Sequence, residues 1–435
     1  MKSATLFLST ILIAASAAAQ DSETNSIVII GDRLIDATGA GVNEDYAVVI
    51  QGERIAEVGP KDRVRIPAGA EVIDVSGATV LPGLTDVHVH PAFYLAAPRD
   101  FEDDSLSALR ASAILRQALD AGITLMRDLG ARHNVGIGLK RALAMGYIEG
   151  PRLIVANGVV GQTGAHASEF ELMVPSKWLL ASDSPEEWRR HIRQNFKLGA
   201  DVTKVTSPFT REEIEIAIEE THNLGAMIAV HAGGRKGGKP ASPDWYSDPE
   251  MMMVEWAVAA GADTIEHLYP MKNQAAVIAM MKEKGTIVVP TIRGIGRSTR
   301  EPTESDIRFQ LTRAHSEDRF RKMHEAGVPM AIATDVEGGR QGEIANYFIE
   351  ELEQFITWGY SHQEAIEAAT RVGAMACGVV DSVGTLEAGK LADLIVVPGN
   401  PLENIKVLTQ PILVIQGGKV VRDRRSTHSM MEVTP

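Results

Sequence analysis

The chain has 435 residues, an ordinary hydrophobic content of 45% and a formal net charge of −14. This acidic balance argues against nucleic acid and anionic membranes as partners, because both repel a negative surface. The single cysteine, Cys377, excludes an internal disulfide and a zinc cluster built from cysteines. Any bound metal must therefore be held by imidazole, carboxylate or a less usual ligand.

Residues 1–19 are predicted to be a secretory signal peptide. Lys2 provides the positive start, Ala4–Ala15 is a mostly apolar run, and Ser16–Ala19 offers small residues for cleavage. A membrane anchor is the alternative, but the run is shorter than the ~20 residues that a membrane span needs. We therefore expect a mature protein that is periplasmic or secreted and that does not contact a membrane after cleavage.

Short alternating strands, separated by turn residues, are predicted near both ends of the chain. They cover Ser26–Ile30, Tyr46–Ile50, Arg54–Val58 and Glu71–Val75 and, near the other end, Ala392–Val397, Ile412–Ile415 and Lys419–Arg422. Two β segments that flank a long middle segment indicate one small β-sandwich domain, assembled from residues 20–80 and 380–425.

The middle of the chain, residues 81–379, alternates buried strands with helical segments. The strand candidates are Leu84–Val89, Ile123–Arg127, Arg152–Ala156, Asp201–Val205, Met227–Val230, Asp263–Glu266, Thr286–Pro290 and Pro329–Ala333. Segments such as Arg211–Asn223 and Pro249–Ala260 have helical periodicity between them. The fold class is therefore α/β, and this alternation predicts a (β/α)8 TIM barrel. An open doubly wound sheet is the alternative, but no glycine-rich nucleotide-binding turn follows the first strand.

Polar residues stand where several of these strands end. They are His88 and His90 in the first strand region, Lys204 in the fourth, His231 after the fifth, His267 after the sixth and Asp335 after the eighth. The carboxyl ends of barrel strands form the face on which active sites are built, so these side chains are predicted to meet at one mouth. Imidazole and carboxylate suit a divalent cation, for which zinc is the first candidate, although manganese, cobalt or iron would fit as well.

Each residue taken alone has a structural explanation. A strand histidine is commonly a hydrogen-bonded core residue, a buried aspartate at a strand end is often a helix cap, and Lys204 could pair with a carboxylate across the barrel. Joint placement at the ends of several strands is what favours a metal site. His88 and His90 also lie two residues apart, so in a strand they point the same way and can reach one ion.

Two segments resemble the amidohydrolase superfamily. The stretch Leu81–His90 is similar to the strand-1 entry motif of that family, and Gly384–Val396 is similar to the segment that leads the chain back to its small β domain. The resemblance covers nearly the whole mature chain. Within the superfamily the chain looks most like the prolidase-like branch of metal-dependent dipeptidases and related amidases.

The resemblance implies two divalent metal ions and assigns their ligands. His88 and His90 would bind one ion, His231 and His267 the other, and Lys204 would bridge both after carboxylation of its amine. Carboxylation explains the lysine, because an ammonium group has no electron pair with which to bind a cation. Burial would lower the lysine pKa and leave the neutral amine that takes up carbon dioxide.

The mechanism that the resemblance implies is attack of a metal-bridging hydroxide on an amide carbonyl. Asp335 would contact the first ion, accept the proton of the attacking water as general base and deliver it to the leaving amine as general acid. The predicted substrates are small molecules such as dipeptides or N-acyl amino acids. The same site acting on a cyclic amide, ester, carbamate or organophosphate is the alternative, and a non-catalytic binding protein on this scaffold is a second. Homo-oligomers are common in the family.

Three further features lie near the predicted mouth. His166, in a glycine-containing loop after the third strand, is predicted to be catalytic through a hydrogen bond to the substrate carbonyl, as the resemblance implies. Arg293 follows the seventh strand and could meet a substrate carboxylate or lie at the surface. The glycine-rich and basic segment Gly233–Pro240 could be a lid or a solvated loop.

Overall fold

The computed structural model describes residues 26–93, 103–166, 178–233, 252–295, 304–337 and 343–426, with residues 304–313 described as backbone. The predicted signal peptide, residues 1–19, and residues 234–240 of the predicted lid lie outside these ranges. Within them no helix is both long and apolar enough to cross a bilayer. Cys377 is buried, and burial raises the pKa of its thiol to about 12.

The strands and helices follow one another in the order that the sequence predicts. The strands are β1 Ser26–Ile35, β2 Val42–Gln51, β3 Arg54–Pro60, β4 Glu71–Asp74, β5 Ala78–Pro82, β6 Leu84–His90, β7 Ile123–Asp128, β8 Arg152–Val155, β9 Val159–Gly161, β10 Leu179–Ala181, β11 Val202–Thr206, β12 Met227–His231, β13 Thr264–Glu266, β14 Ile287–Val289, β15 Val336–Glu337, β16 Leu394–Pro398, β17 Leu413–Gln416 and β18 Lys419–Asp423. The helices are α1 Asp104–Asp120, α2 Val135–Ala144, α3 Pro185–Leu198, α4 Arg211–Asn223, α5 Met253–Ala260, α6 Gln274–Lys284, α7 Glu304–Ala326, α8 Glu343–Thr357, α9 His362–Ala368 and α10 Arg371–Ala376.

Strands from both ends of the chain share one sheet, in the order β18-β17-β16-β5-β1-β2-β3, with β4 also paired to β1. Strand β1 is the branch point, because its first half pairs with β4 and its second half with β5 along the same edge. The sequence predicts a sandwich, whereas the hydrogen bonds join these strands in a single branched sheet. Ile29 of β1 nevertheless shares one buried core with Leu394 and Leu413 from the other end of the chain.

The remaining strands are parallel and form two hydrogen-bonded groups, β15-β6-β7-β8 and β10-β9-β11-β12-β13-β14. Backbone hydrogen bonds also connect the groups. Asp201 N–H donates to Val155 O at 2.8 Å, which links the start of β11 to β8. Val87 N–H of β6 donates to Ile332 O at 3.3 Å, and the segment that contains Ile332 also meets β14 through the bridge between Met330 and Val288. The α/β class that the sequence predicts is confirmed, and these contacts follow the strand order expected of a (β/α)8 barrel.

Helix ends follow local sequence signals. The side chain of Thr210 accepts a hydrogen bond from the Glu213 N–H, and the Glu213 carboxylate accepts one from the Thr210 N–H, so this capping box starts α4. Helix α3 starts after Ser184 with Pro185 in its first turn and ends at Gly199, which adopts the left-handed conformation. These helices pack beside the parallel strands and fix where the carboxyl ends of those strands lie.

The structure differs from the predicted elements in several places. The predicted eighth strand, Pro329–Ala333, forms one isolated bridge, between Met330 and Val288, rather than a regular ladder. Pro329 has no N–H to give to a ladder, and the Ile332 N–H donates to Ala368 O instead of to a neighbouring strand. Strands β5, β9, β10 and β15 were also missed. The last three have only two or three residues each, which is too few to show an alternating pattern.

Candidate active site

The structure brings together the first group of predicted metal ligands at the end of β6. The imidazole rings of His88 and His90 lie 5.2 Å apart between centroids. Asp335 Oδ1 lies 3.6 Å from His88 Nε2 and 3.8 Å from His90 Nε2. Lys204 Nζ reaches the same point from β11, 3.2 Å from His88 Nε2. One ligand atom from each of His88, His90 and Asp335 falls within 4.8 Å of the others, close enough to hold one ion.

The second group adjoins the first. His267 lies 5.0 Å from His88 and 4.7 Å from His231 between ring centroids. His166 stacks on His231 at 4.4 Å, with an angle of 17° between the ring planes. Tyr269 was not singled out by the sequence, yet its hydroxyl lies 2.8 Å from His231 Nε2. All six predicted ligands and His166 therefore lie in one connected cluster.

Hydrogen bonds orient the two histidines of β6. His88 Nδ1 lies 2.6 Å from Glu266 Oε2, and His90 Nδ1 lies 3.2 Å from Gly130 O. Because both acceptors are oxygens, each Nδ1 carries the proton and each Nε2 keeps its lone pair toward Asp335. A ligating histidine in metalloproteins commonly has such a partner on its second nitrogen, which fixes the tautomer and the orientation of the ring.

A buried ion pair stands behind His88. Glu266 Oε1 accepts a hydrogen bond from Arg127 Nη2 at 2.9 Å, and both side chains are fully buried. Arg127 is held in turn by Val87 O at 2.6 Å and by Ala376 O at 2.9 Å. Sequence reasoning missed this pair. The available signal was a charged residue within each of two strands predicted to be buried, where an unpaired charge would be costly.

Burial sets the protonation of the site. It lowers the pKa of His90 to about 4 and that of His267 to about 3, and the pKa of His88 and of His231 is lowered as well. The imidazoles are therefore neutral at neutral pH, which is the form that binds a cation. Burial also lowers the pKa of Lys204 to about 8 and increases the share of neutral amine near that pH.

A buried carboxyl supports the segment that carries Asp335. Asp86 Oδ1 accepts the Thr334 N–H at 3.0 Å, and Asp86 Oδ2 accepts the Thr334 hydroxyl at 2.7 Å. Burial raises the pKa of Asp86 to about 7. The Asp335 N–H then donates to His88 O at 2.9 Å, so the predicted proton carrier is fixed to the strand of the predicted ligands.

Three residues at the strand ends adopt positive φ angles that residues other than glycine rarely adopt. They are His267 at 66°, Thr291 at 47° and Asp335 at 51°. Such backbone costs about 1–3 kcal/mol per residue and concentrates at functional sites. Two of the three are predicted metal ligands, and Thr291 Oγ1 lies 2.6 Å from His267 Nδ1. Three of the eight non-glycine residues with positive φ in the described chain thus lie at the predicted site, and the sequence had given no sign of this.

Comparison with known proteins agrees with the family that the sequence predicts. The model of the Amidohydrolase family matches residues 79–421. The ochratoxinase of Aspergillus niger is 27% identical over 458 aligned positions, which cover 93% of this chain and 88% of that protein. An imidazolonepropionase from Symbiobacterium thermophilum is 26% identical, covering 90% of this chain and 94% of that one.

Solved structures show the same architecture over most of the chain. A Xaa-Pro dipeptidase with methionine bound in its active site superposes with a TM-score of 0.75 at 28% identity, covering 91% of this chain and all of the other. The A. niger ochratoxinase structure has a TM-score of 0.76 at 25% identity and covers 92% of this chain and 96% of its own.

The parallel strands with polar residues at their carboxyl ends, and a site rich in neutral imidazole, fit an α/β hydrolase with residues that could hold a metal ion. The chain belongs to the Amidohydrolase family. Both the predicted family and the predicted enzyme class, an amidohydrolase acting on carbon–nitrogen bonds, are confirmed.

Proposed function

We propose that this enzyme hydrolyses amide bonds of small molecules such as dipeptides or N-acyl amino acids, with the cluster around His88 as its catalytic centre. The observation that carries the proposal is the convergence of four neutral imidazoles, a buried lysine and Asp335 at the strand ends. The names of its relatives, a Xaa-Pro dipeptidase and an ochratoxinase among them, support an amide-cleaving activity.

The residues at the centre fit a divalent metal. His88 and His90 direct unprotonated Nε2 atoms toward Asp335 Oδ1, so two neutral nitrogens and one carboxylate oxygen face a common point. We propose that these residues hold one ion, that His231 and His267 hold a second, and that Lys204 bridges them as a carbamate. Zinc is the metal we propose, because it favours nitrogen and oxygen ligands of this kind. Bound metal would supply a Lewis acid and lower the pKa of a water at the site.

Asp335 is the proposed proton carrier. Its side chain is 29% exposed, whereas His88, His90 and His231 are buried, so water and substrate can reach its carboxylate. It accepts a proton from the attacking water as the new carbon–oxygen bond forms. It then donates that proton to the amine nitrogen as the carbon–nitrogen bond breaks, so no other acid is needed.

His166 is the proposed partner of the substrate carbonyl. Its ring stacks on His231, and its backbone N–H donates to Ser207 O at 2.8 Å, which fixes the loop at the edge of the cluster. A hydrogen bond from the His166 ring to the carbonyl oxygen would stabilise the negative charge that develops there during attack.

Some proposals concern the molecule beyond its site. We propose that the parallel strands close into one (β/α)8 barrel, that the branched sheet folds over its shared core as a sandwich, and that the protein is a homo-oligomer without a nucleic-acid or membrane partner. We also propose export after cleavage of residues 1–19, which N-terminal sequencing of the protein from cell fractions would test. Recovery of the protein with an intact N-terminus from the cytoplasmic fraction alone would contradict export.

The test of the function combines metal analysis with turnover. Purified protein is expected to carry stoichiometric divalent metal and to release amines from a panel of dipeptides and N-acyl amino acids. Protein prepared with 13C-labelled bicarbonate is expected to show a carbamate carbon that the K204M variant lacks. The D335N variant should lose at least about 100-fold in kcat, a typical share for a positioned acid–base group. Folded protein without metal, turnover confined to esters or phosphotriesters, or full activity of D335N would overturn the proposal.

A further inference from the structure

The turn that follows β14 lies next to the proposed catalytic cluster. It is a short 3-10 helix, Ile292–Ile295, and the N–H groups of Ile292 and Arg293 each donate to one oxygen of Glu351 at 2.8 Å. Glu351 is fully buried in α8. Thr291, just before the turn, contacts His267. The backbone of Arg293 is therefore held at a fixed place beside the site.

The side chain of Arg293 lies next to the segment that carries Asp335. Its Nη2 donates to Thr334 O at 3.2 Å, and Thr334 immediately precedes Asp335. Its guanidinium carbon lies 3.7 Å above the centre of the Tyr347 ring, a cation–π contact that fixes the plane of the group. The guanidinium is thus oriented by an aromatic face and a carbonyl oxygen.

The charge of this arginine is not matched by an ion pair within the part of the chain that the structure describes. Its Nε is buried without a hydrogen-bond partner. The nearby carboxyl of Glu351 has both oxygens occupied by backbone N–H groups rather than by the guanidinium. Other buried or half-buried arginines, Arg127 and Arg152 for example, have a carboxylate at 2.6–2.9 Å. In a chain with 57 acidic and 43 basic residues, an oriented arginine without a carboxylate is notable.

We propose that Arg293 binds a free carboxylate on the amine side of the scissile amide, so that the substrates are acylated α-amino acids rather than neutral amides. A guanidinium offers paired N–H donors that match the two oxygens of a carboxylate. Its fixed place beside Asp335 would hold the leaving amino acid next to the proton that its nitrogen must receive. This inference rests on the proposed function and narrows it to one substrate class.

The test compares two substrates that differ by the carboxylate alone, N-acetyl-L-phenylalanine and N-acetyl-2-phenylethylamine, with release of free amine as the readout. We expect wild-type enzyme to favour the acid by about 10- to 100-fold in kcat/KM, the range of a hydrogen bond to a charged group. The R293M variant should lose that preference, mainly because its KM for the acid rises to the value for the neutral amide. The R293K variant should retain part of the preference.

An exposed arginine provides the matched control. Arg321 lies on α7, 2.7 Å from Glu317, and R321M should leave both substrates unaffected. Equal wild-type turnover of the two substrates, or an unchanged preference in R293M, would overturn the role of Arg293 and leave the amidase proposal intact. If R293M did not fold, the wild-type comparison of the two substrates and the R293K variant would still test the inference. Absence of metal-dependent cleavage of any amide would instead remove the function on which the inference rests.

Discussion

Glu266 determines how His88 meets a cation. Its carboxylate lies between the guanidinium of Arg127 and Nδ1 of His88, where water cannot reach it. A carboxylate in this position fixes the imidazole tautomer and raises the electron density on Nε2. The contact with Arg127 at 2.9 Å offsets the cost of burying this carboxylate.

The E266Q variant is expected to bind metal about 10- to 100-fold more weakly, the usual effect of losing a partner of a metal-binding histidine. A glutamine keeps the shape but removes the negative charge that favours a proton on Nδ1. Competition against a chelator, followed by metal analysis, measures the affinity independently of turnover. The exposed Glu283 of α6 supplies the control E283Q, and equal metal affinity in both variants would contradict this role.

At this scale the sequence predicted the residues that converge but not the residues that support them. The histidines, Lys204 and Asp335 stand at strand ends, where chain position alone indicates that they point to one face. Arg127 and Glu266 lie on β7 and β13, in different hydrogen-bonded groups of strands, and their pairing depends on how these groups come together, which one sequence does not reveal. Tyr269 was missed for a related reason, because its contact with His231 joins the end of β12 to the segment after β13.

The ends of the strands are where the backbone is most constrained. Gly233 follows β12 and packs flat against the ring of Tyr269, so that a Cβ at this position would lie 2.0 Å from the ring. Ordinary contacts between such atoms are well above 3 Å. Glycine is therefore required for close approach, and it keeps the Tyr269 hydroxyl beside His231.

The G233A variant is expected to lose about 1–3 kcal/mol of unfolding free energy, as overpacked buried sites do, together with activity. The added methyl group must displace the Tyr269 ring. Urea unfolding and turnover measure the two effects. The control is G138A in α2, where a Cβ meets nothing within 4 Å and where alanine should add about 0.5–1 kcal/mol to stability. A neutral G233A would show that the ring moves freely.

Elements with strong periodic patterns could be predicted, and those set by neighbouring segments could not. Helix α4 has the predicted bounds, and β6 and β7 extend the predicted strands by one residue. The segment Pro329–Ala333 has the apolar composition of a buried strand, yet its hydrogen bonds go to β14, to β6 and to the last residue of α9. The choice of these hydrogen-bond partners depends on how the neighbouring strands are arranged, and the sequence of the segment alone does not specify that arrangement.

Several buried carboxyl groups connect the stability of the whole molecule to pH. Burial raises the pKa of Asp128 and of Glu351 to about 8 and that of Asp86 to about 7. Above the ordinary carboxyl pKa of 3.8, an unfolded chain releases the Asp128 proton that the folded chain still holds. The folded state then binds more protons, so these groups make stability fall as pH rises toward 8.

The metal-free protein is expected to lose unfolding free energy between pH 6.5 and pH 8. Below 6.5 the buried histidines act in the opposite direction, because the unfolded chain protonates them first. The D128N variant keeps the oxygen that accepts the Gly130 N–H at 3.1 Å and removes the buried charge. Relative to wild type it should gain up to about 2 kcal/mol across this window. Urea unfolding at several pH values measures the difference, and parallel pH curves for the two proteins would contradict it.

The branched sheet also has a consequence for biosynthesis. Strand β5 pairs on one edge with β1, near the start of the described chain, and on the other edge with β16, more than three hundred residues later. Until the ribosome has made β16, β5 keeps an open hydrogen-bonding edge beside apolar residues such as Val80. An open apolar edge invites association with other chains. We therefore expect that chains interrupted anywhere before β16 aggregate or are degraded, and that the nascent polypeptide depends on a chaperone until its last strands emerge.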